Sequence, residues 1–267
     1  MNKEQREEHA LGQFRCANDY PIRYVPPGSK VGLQELLSRL VSDDMILDHL
    51  EEPDFQSQDR SVGIEEFQVT DKERSGDNGK PHNPTAKREA VVRSEVRETL
   101  ESQGVSVAPD VAIHGRVDTG LSTHENQRYE WWLTHFKRVV KKHSRNVTKY
   151  RSKLRSDGIV VFLITDDAEP YIELAEGLDP FDQVVERGEE APPADPHYWW
   201  RDSAFLDAIH DCDADFVIWQ RPWQEVNCMS GDRRINMPRC AVYDVKALLK
   251  STFGHDYDAK RMCPLNE

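Results

Sequence analysis

The run GIVVFLIT at 158–165 sets the tightest limit on how this chain folds. A continuous apolar stretch of strand length, bounded by Gly158 and by the turn chemistry of Asp166-Asp167, predicts a strand buried on both faces. Such a strand needs an apolar layer on each side, and the segment before it offers one. Over 123–156, Trp132, Phe136, Val139 or Val140, His143, Val147, Tyr150 and Leu154 recur at alternating threes and fours, so one long amphipathic helix is expected.

The second layer is expected from residues 32–50, where Leu33, Leu36, Leu37, Leu40, Val41, Ile46, Leu47 and Leu50 fall at helical spacing up to Pro53. Asp54–Ser57 and Ser61–Thr70 then read as two strands around the turn Gln58-Asp59-Arg60. Residues 71–85 read as a loop, 86–102 as a helix and 105–114 as a weaker strand. Further on, 203–211 reads as a short helix, 216–219 as a buried strand, 221–238 as irregular, 241–245 as a strand, and a terminal helix carries Leu248 and Leu249. No internal repeat is evident. The expected class is α/β, a mixed central β-sheet flanked by helices. Residues 1–31 form an irregular polar leader and 32–267 a single domain, its core spanning about 32–165 and a C-terminal α/β extension about 166–267.

Composition removes several classes. No apolar run approaches the roughly 20 residues that span a bilayer, and Met1 to Ala10 lacks the apolar region of a signal peptide. The five cysteines are scattered with no CxxC pair, which argues against a zinc ribbon or a disulfide framework and for reduced thiols in the cytoplasm. Net charge is −13, yet Trp131 to Ser156 holds nine Lys or Arg and no acid. Arg138, Lys141, Lys142, Arg145, Lys149 and Lys153 are spaced to line one helical face, the arrangement a phosphate backbone requires. A solvated helix face is the plainer use of the same charges.

Acids gather at the hairpin. Pro53-Asp54 opens it, and Glu65, Glu66 and Gln68 sit on its second strand. Side chains alternate along a strand, so Glu66 and Gln68 share one face while Glu65 and Phe67 share the other. With the element order α, β, β, β, α, β over 32–165, this pattern resembles the PD-(D/E)XK nucleases and their restriction-endonuclease-like core. The resemblance implies a metal-dependent hydrolase that cleaves or binds nucleic-acid phosphodiesters. It implies Asp54 with Glu65 or Glu66 as ligands of Mg²⁺, or of Mn²⁺, and a lysine two residues beyond the second acid. That lysine slot holds Gln68 if Glu66 is the acid, and Phe67 if Glu65 is. Lys137 or Lys141 is a candidate to replace the lysine, and Glu35 or Glu51 to supply a further acid. The alternative is a core of the same kind with its site lost, serving as a protein-binding or regulatory module with an acidic surface.

Other chemistries find little support. HExxH, GxSxG, GxxxxGK[ST] and GxGxxG are all absent. His135 and His143 stand too far apart for a two-ligand turn, and His143 falls on the apolar seam as a core histidine. Asp166, Asp167 and Glu169 read as an exposed polar turn, and Tyr198, Trp199, Trp200, Trp219 and Trp223 as packing residues rather than base-stacking platforms.

Overall fold

GIVVFLIT occupies the centre of the molecule, as the fourth of seven strands in a mixed sheet covered by helices on both sides. The computed structural model describes residues 3–16, 22–42, 45–71, 74–75, 81–82, 91, 94–96, 98–100, 102–103, 129–168, 170–175, 194–221, 227–230, 233–236, 238–248 and 254–264. The helices are α1 (Lys3–Cys16), α2 (Lys30–Val41), α3 (Tyr129–Ser144), α4 (Val147–Lys153) and α5 (Ser203–His210). The strands in chain order are β1 (Ile22–Val25), β2 (Leu47–His49), β3 (Phe55–Ser57), β4 (Val62–Val69), β5 (Arg74–Ser75), β6 (Pro81–His82) and β7 (Ile159–Asp166), then β8 (Tyr171–Leu174), β9 (Ala194–Pro196), β10 (Phe216–Gln220), β11 (Asn227–Ser230), β12 (Arg233–Asn236), β13 (Cys240–Asp244) and β14 (Met262–Pro264).

The main sheet runs β1-β13-β10-β7-β4-β3-β2. Both neighbours of β7 are parallel to it, whereas β13 against β10, β3 against β4, and β2 against β3 are antiparallel. Alternation divides the core in two. Val62, Ile64, Val161, Leu163, Ile218 and Val242 face Leu33, Leu36, Leu37 and Leu40 of α2 and Leu11 and Phe14 of α1. Phe67, Val69, Val160, Phe162, Ile164, Val217 and Trp219 face Trp132, Phe136 and Val140 of α3, Val147 and Tyr150 of α4, and Phe205 of α5. Each such side chain contributes roughly 1.5–3 kcal/mol on burial, which is why a continuous apolar strand is stable only with cover on both sides. Among the described residues no helix is long and apolar enough to cross a membrane.

Several boundaries differ from the periodicity. The leader is not irregular: it holds α1 and β1, and the Gln220 side chain donates to the Ala10 carbonyl at 3.0 Å, tying α1 to the sheet. The helix expected through residue 50 stops at Val41, where Ser42 turns extended, and 47–49 become the edge strand β2. Ile46 and Leu50, apparent members of the helical stripe, are 58% and 38% exposed. The long helix breaks at 145–146 and ends at Lys153. Both halves hold Glu65, through His143 and Tyr150, and Arg151 of α4 pairs in addition with Asp215 at 2.8 Å. Residues 227–230 and 233–236 pair as the antiparallel strands β11 and β12 where irregular chain was expected, and 245–247 form a turn rather than a helix. The strand expected at 105–114 lies outside the described residues, as does most of the 86–102 helix.

Candidate functional site

Asp54 stands where β3 stops pairing with β4. The last pairs are Gln56↔Gly63 and Phe55↔Ile64. Beyond them the Glu66 backbone N–H, instead of finding a strand carbonyl, donates to Asp54 Oδ2 at 2.8 Å. A strand N–H points along the sheet plane, so this carboxylate sits at the boundary of the two core faces. Its other oxygen accepts from Lys3 Nζ at 3.3 Å, and the same ammonium lies 3.1 Å from Glu7 Oε1. Glu7 Oε2 is 2.9 Å from His49 Nε2 on β2. Asp54, Glu7 and Glu66 are all buried.

The face shared by Val62 and Ile64 also carries Glu66 and Gln68, under α1. Glu66 hydrogen-bonds Thr165 and feels the charge of Arg6, while its Oε2 is buried with no hydrogen-bond donor. Gln68 donates to Asp167 Oδ2 at 3.0 Å. Burial pushes Asp54 up to about 6, with the charges of Glu65 and Glu7 reinforcing the rise and the Glu66 N–H and Lys3 opposing it. Burial likewise raises Glu66 to about 7, opposed by Arg6 and Thr165 and reinforced by Asp54 and Glu7. Each buried carboxyl therefore resists ionisation, first because it is out of water and then because its neighbours are acids too.

Glu65 faces the opposite side of β4. Its Oε1 accepts from Tyr150 Oη at 2.8 Å and lies 2.8 Å from His143 Nδ1, and the His143 ring stacks on Phe67. Of the two acids open in the sequence, Glu66 lies with Gln68 on the face under α1, whereas Glu65 bonds Tyr150 and His143 on the other face and still acts on Asp54 by its charge. The acid that shares Lys3 with Asp54 is Glu7, whereas Glu35 and Glu51 are exposed. The lysine that reaches the acids is Lys3, whereas Lys137 and Lys141 are exposed on α3, which covers the other face. Glu7 has a signal in the sequence, since Glu7, Ala10, Leu11 and Phe14 have the i, i+3, i+4, i+7 spacing of a buried helical stripe.

The basic residues are exposed but not uniformly arranged. Arg138, Lys141 and Lys142 lie on α3, Arg145 in the break, and Lys149 and Lys153 on α4. Lys149 pairs with the Glu52 carboxylate and Lys153 donates to the Glu52 carbonyl, two residues before Asp54.

Asp166 is not in an exposed turn. It ends β7, buried, accepting from Trp132 Nε1 at 3.1 Å and Arg221 Nε at 3.3 Å. Trp199, Trp200 and Trp219 are core residues, while Glu169 and Trp223 lie outside the described residues.

Among the described residues no three His, Cys, Asp or Glu side chains form a ready-made metal centre. The cation already placed between Asp54 and Glu7 is Lys3. The donor chemistry nevertheless suits a hard divalent ion, because Asp54, Glu66 and Glu7 offer only carboxylate oxygens and Glu66 Oε2 has no donor. No protein-family model, curated protein or solved structure matches the chain.

Proposed function

We propose that this protein is a metal-dependent phosphodiesterase with a PD-(D/E)XK-like site, acting on nucleic acid. The observation that carries the reading is the acid cluster at one end of β4. Lys3 bridges buried Asp54 and Glu7 there, Asp54 accepts from the Glu66 backbone N–H, and Glu66 keeps a buried oxygen without a donor. An unsatisfied buried carboxylate oxygen is costly, and a bound cation or a proton relieves that cost. Asp54 and Glu66 would hold Mg²⁺ or Mn²⁺ with Glu7 as the third donor. Such an ion polarises a phosphate and lowers the pKa of water.

The remaining roles belong to the chain itself. In the metal-free chain Glu66, pushed to about 7, holds a proton near neutral pH that a bound ion would displace. Gln68 stands in the lysine slot, where its amide orients Asp167. The ammonium of Lys3, beside Asp54, supplies the positive charge that Gln68 lacks. The exposed lysines and arginines of α3 and α4 contact the phosphate backbone.

A second reading, a regulatory module with a lost catalytic site, draws on one fact: Lys3 already neutralises the acids where a metal would sit. Incubation of the full chain with single- and double-stranded DNA and RNA, in Mg²⁺ or Mn²⁺, separates the two. Cleavage that falls about 10²-fold or more in Asp54→Asn and Glu66→Gln, as loss of groups that hold a metal does, supports the enzyme. Absence of cleavage on every substrate with both metals supports the module.

A further inference from the structure

Three lysines from two separate helices act on one exposed carboxylate beside the acid cluster. Lys149 and Lys153 lie one turn apart on α4; the first pairs with the Glu52 side chain and the second with its carbonyl. Lys3 of α1, within 3.3 Å of Asp54 two residues further on, also acts on Glu52 by its charge. The lysine mount is rigid. Gly63 has no side chain, so Pro53 Cγ and both Leu154 methyls stand within 3.3 Å of where a Cβ would be, clamping the end of α4 to the hairpin. Arg155 N donates to the Arg60 carbonyl at 3.0 Å, and Arg151 anchors α4 to buried Asp215.

A structural ion pair at this position has little to stabilise, since the Glu52 and Lys149 side chains are 37% and 58% exposed and exposed pairs contribute little. A carboxylate and a phosphodiester share a key feature, two oxygens carrying one negative charge. We propose that Lys149, Lys153 and Lys3 form a phosphate subsite next to Asp54, and that Glu52 fills it in the free protein in place of a backbone phosphate of nucleic acid. The inference rests on the nucleic-acid reading above and deepens it by naming where the substrate is gripped and what must leave first. It also gives the acidic chain a part in binding: Lys149 is held by the Glu52 carboxylate until a phosphate displaces it.

The test is a binding measurement in EDTA, with no divalent ion, so it stands apart from any failure of metal-dependent cleavage. Fluorescent single-stranded and duplex oligonucleotides are titrated with the wild type, Glu52→Gln, Lys149→Gln/Lys153→Gln, and the triple variant, with circular dichroism and thermal melting as fold controls. Removing Glu52 frees the lysines, so Glu52→Gln binds severalfold tighter at low salt. Its log–log salt slope steepens by about 0.9 for each additional phosphate neutralised on duplex, or about 0.7 on single strands. The double variant binds more weakly, and the triple variant shows no gain from the Glu52 change. Lys149→Arg/Lys153→Arg restores binding, because it keeps the charge. Unchanged affinity in a folded Glu52→Gln overturns the proposal, as does an equal gain in the triple variant. An arm with inorganic phosphate separates the sources. Competition only at millimolar phosphate supports a backbone subsite, and tight phosphate binding without oligonucleotide binding refutes the nucleic-acid assignment.

Discussion

Glu65 and Glu66 are neighbours on one strand, both buried, and live in different chemistry. Glu65 projects toward α3 and α4, where a tyrosine hydroxyl and a histidine ring meet the same oxygen. Glu66 projects toward α1, where it meets Asp54, Glu7 and the charge of Arg6. Each keeps one oxygen without a donor and each is coupled by charge to Asp54, but only Glu65 has a tyrosine and a histidine on its other oxygen. Alternation along β4 thus separates a carboxylate that joins two helices to the sheet from one that burdens the fold. A residue retained at a cost to stability points to a functional role.

The largest effect expected from this contrast is on the supporting side. Glu65→Ala leaves Tyr150 and His143 without their acceptor and opens a cavity, for a loss of about 3 kcal/mol in chemical denaturation. A loss below about 1 kcal/mol would mean that the network does not hold α3 and α4 to β4.

The opposite sign is expected across the strand. Asp54 and Glu66 bind protons more readily folded than unfolded, with values near 6 and 7. Their contribution to stability is therefore complete below about pH 4, the unfolded value, and is lost as pH rises through 6 and 7. Metal-free Asp54→Asn and Glu66→Gln are each expected to gain about 1–3 kcal/mol over wild type at pH 8 and nothing at pH 4, since each tenfold difference in proton affinity between the folded and unfolded chain corresponds to about 1.36 kcal/mol. Denaturant melts across that range check it, and variants that are destabilised at pH 8 contradict it.

Reversal of charge on the basic surface comes next. Arg145→Glu/Lys149→Glu should weaken binding to any nucleic-acid sequence and flatten its salt dependence without changing the melting temperature appreciably. Fluorescence anisotropy at two salt concentrations reads this directly, and equal affinities count against the basic face. Smallest of all is Tyr150→Phe, which removes one of two hydrogen bonds to Glu65 and should cost about 1–2 kcal/mol in the same denaturant melts.

Legibility in the sequence follows apolar contrast. The strand GIVVFLIT is readable as an unbroken apolar run between turn residues, and the hairpin around Asp54 and Glu66 as two short strands about a turn. Placing Glu66 with Gln68 needs only that period; choosing Glu66 over Glu65 needs α1. That helix escapes a sequence reading because its buried stripe begins with Glu7, so its two faces differ little in polarity. Leucine spacing past Val41 misleads for the converse reason, since an edge strand leaves Ile46 and Leu50 exposed at positions that mimic a helix. The contacts flanking the break at 145–146, Glu65 with both His143 and Tyr150 and Asp215 with Arg151, lie too far away in sequence for a local pattern to reveal them.

The most direct measurement of the acid cluster's role is thermal unfolding near pH 8 with increasing Mg²⁺ and Mn²⁺. An ion that binds only the folded chain stabilises it by RT ln(1 + [L]/Kd), about 2.7 kcal/mol at 100 times Kd. Wild type and Glu65→Gln should both gain with metal, measured against their own metal-free melts, while Asp54→Asn and Glu66→Gln should not respond. Identical responses in wild type, Asp54→Asn and Glu66→Gln would contradict a metal site at this hairpin and leave the acids as a strand edge neutralised by Lys3.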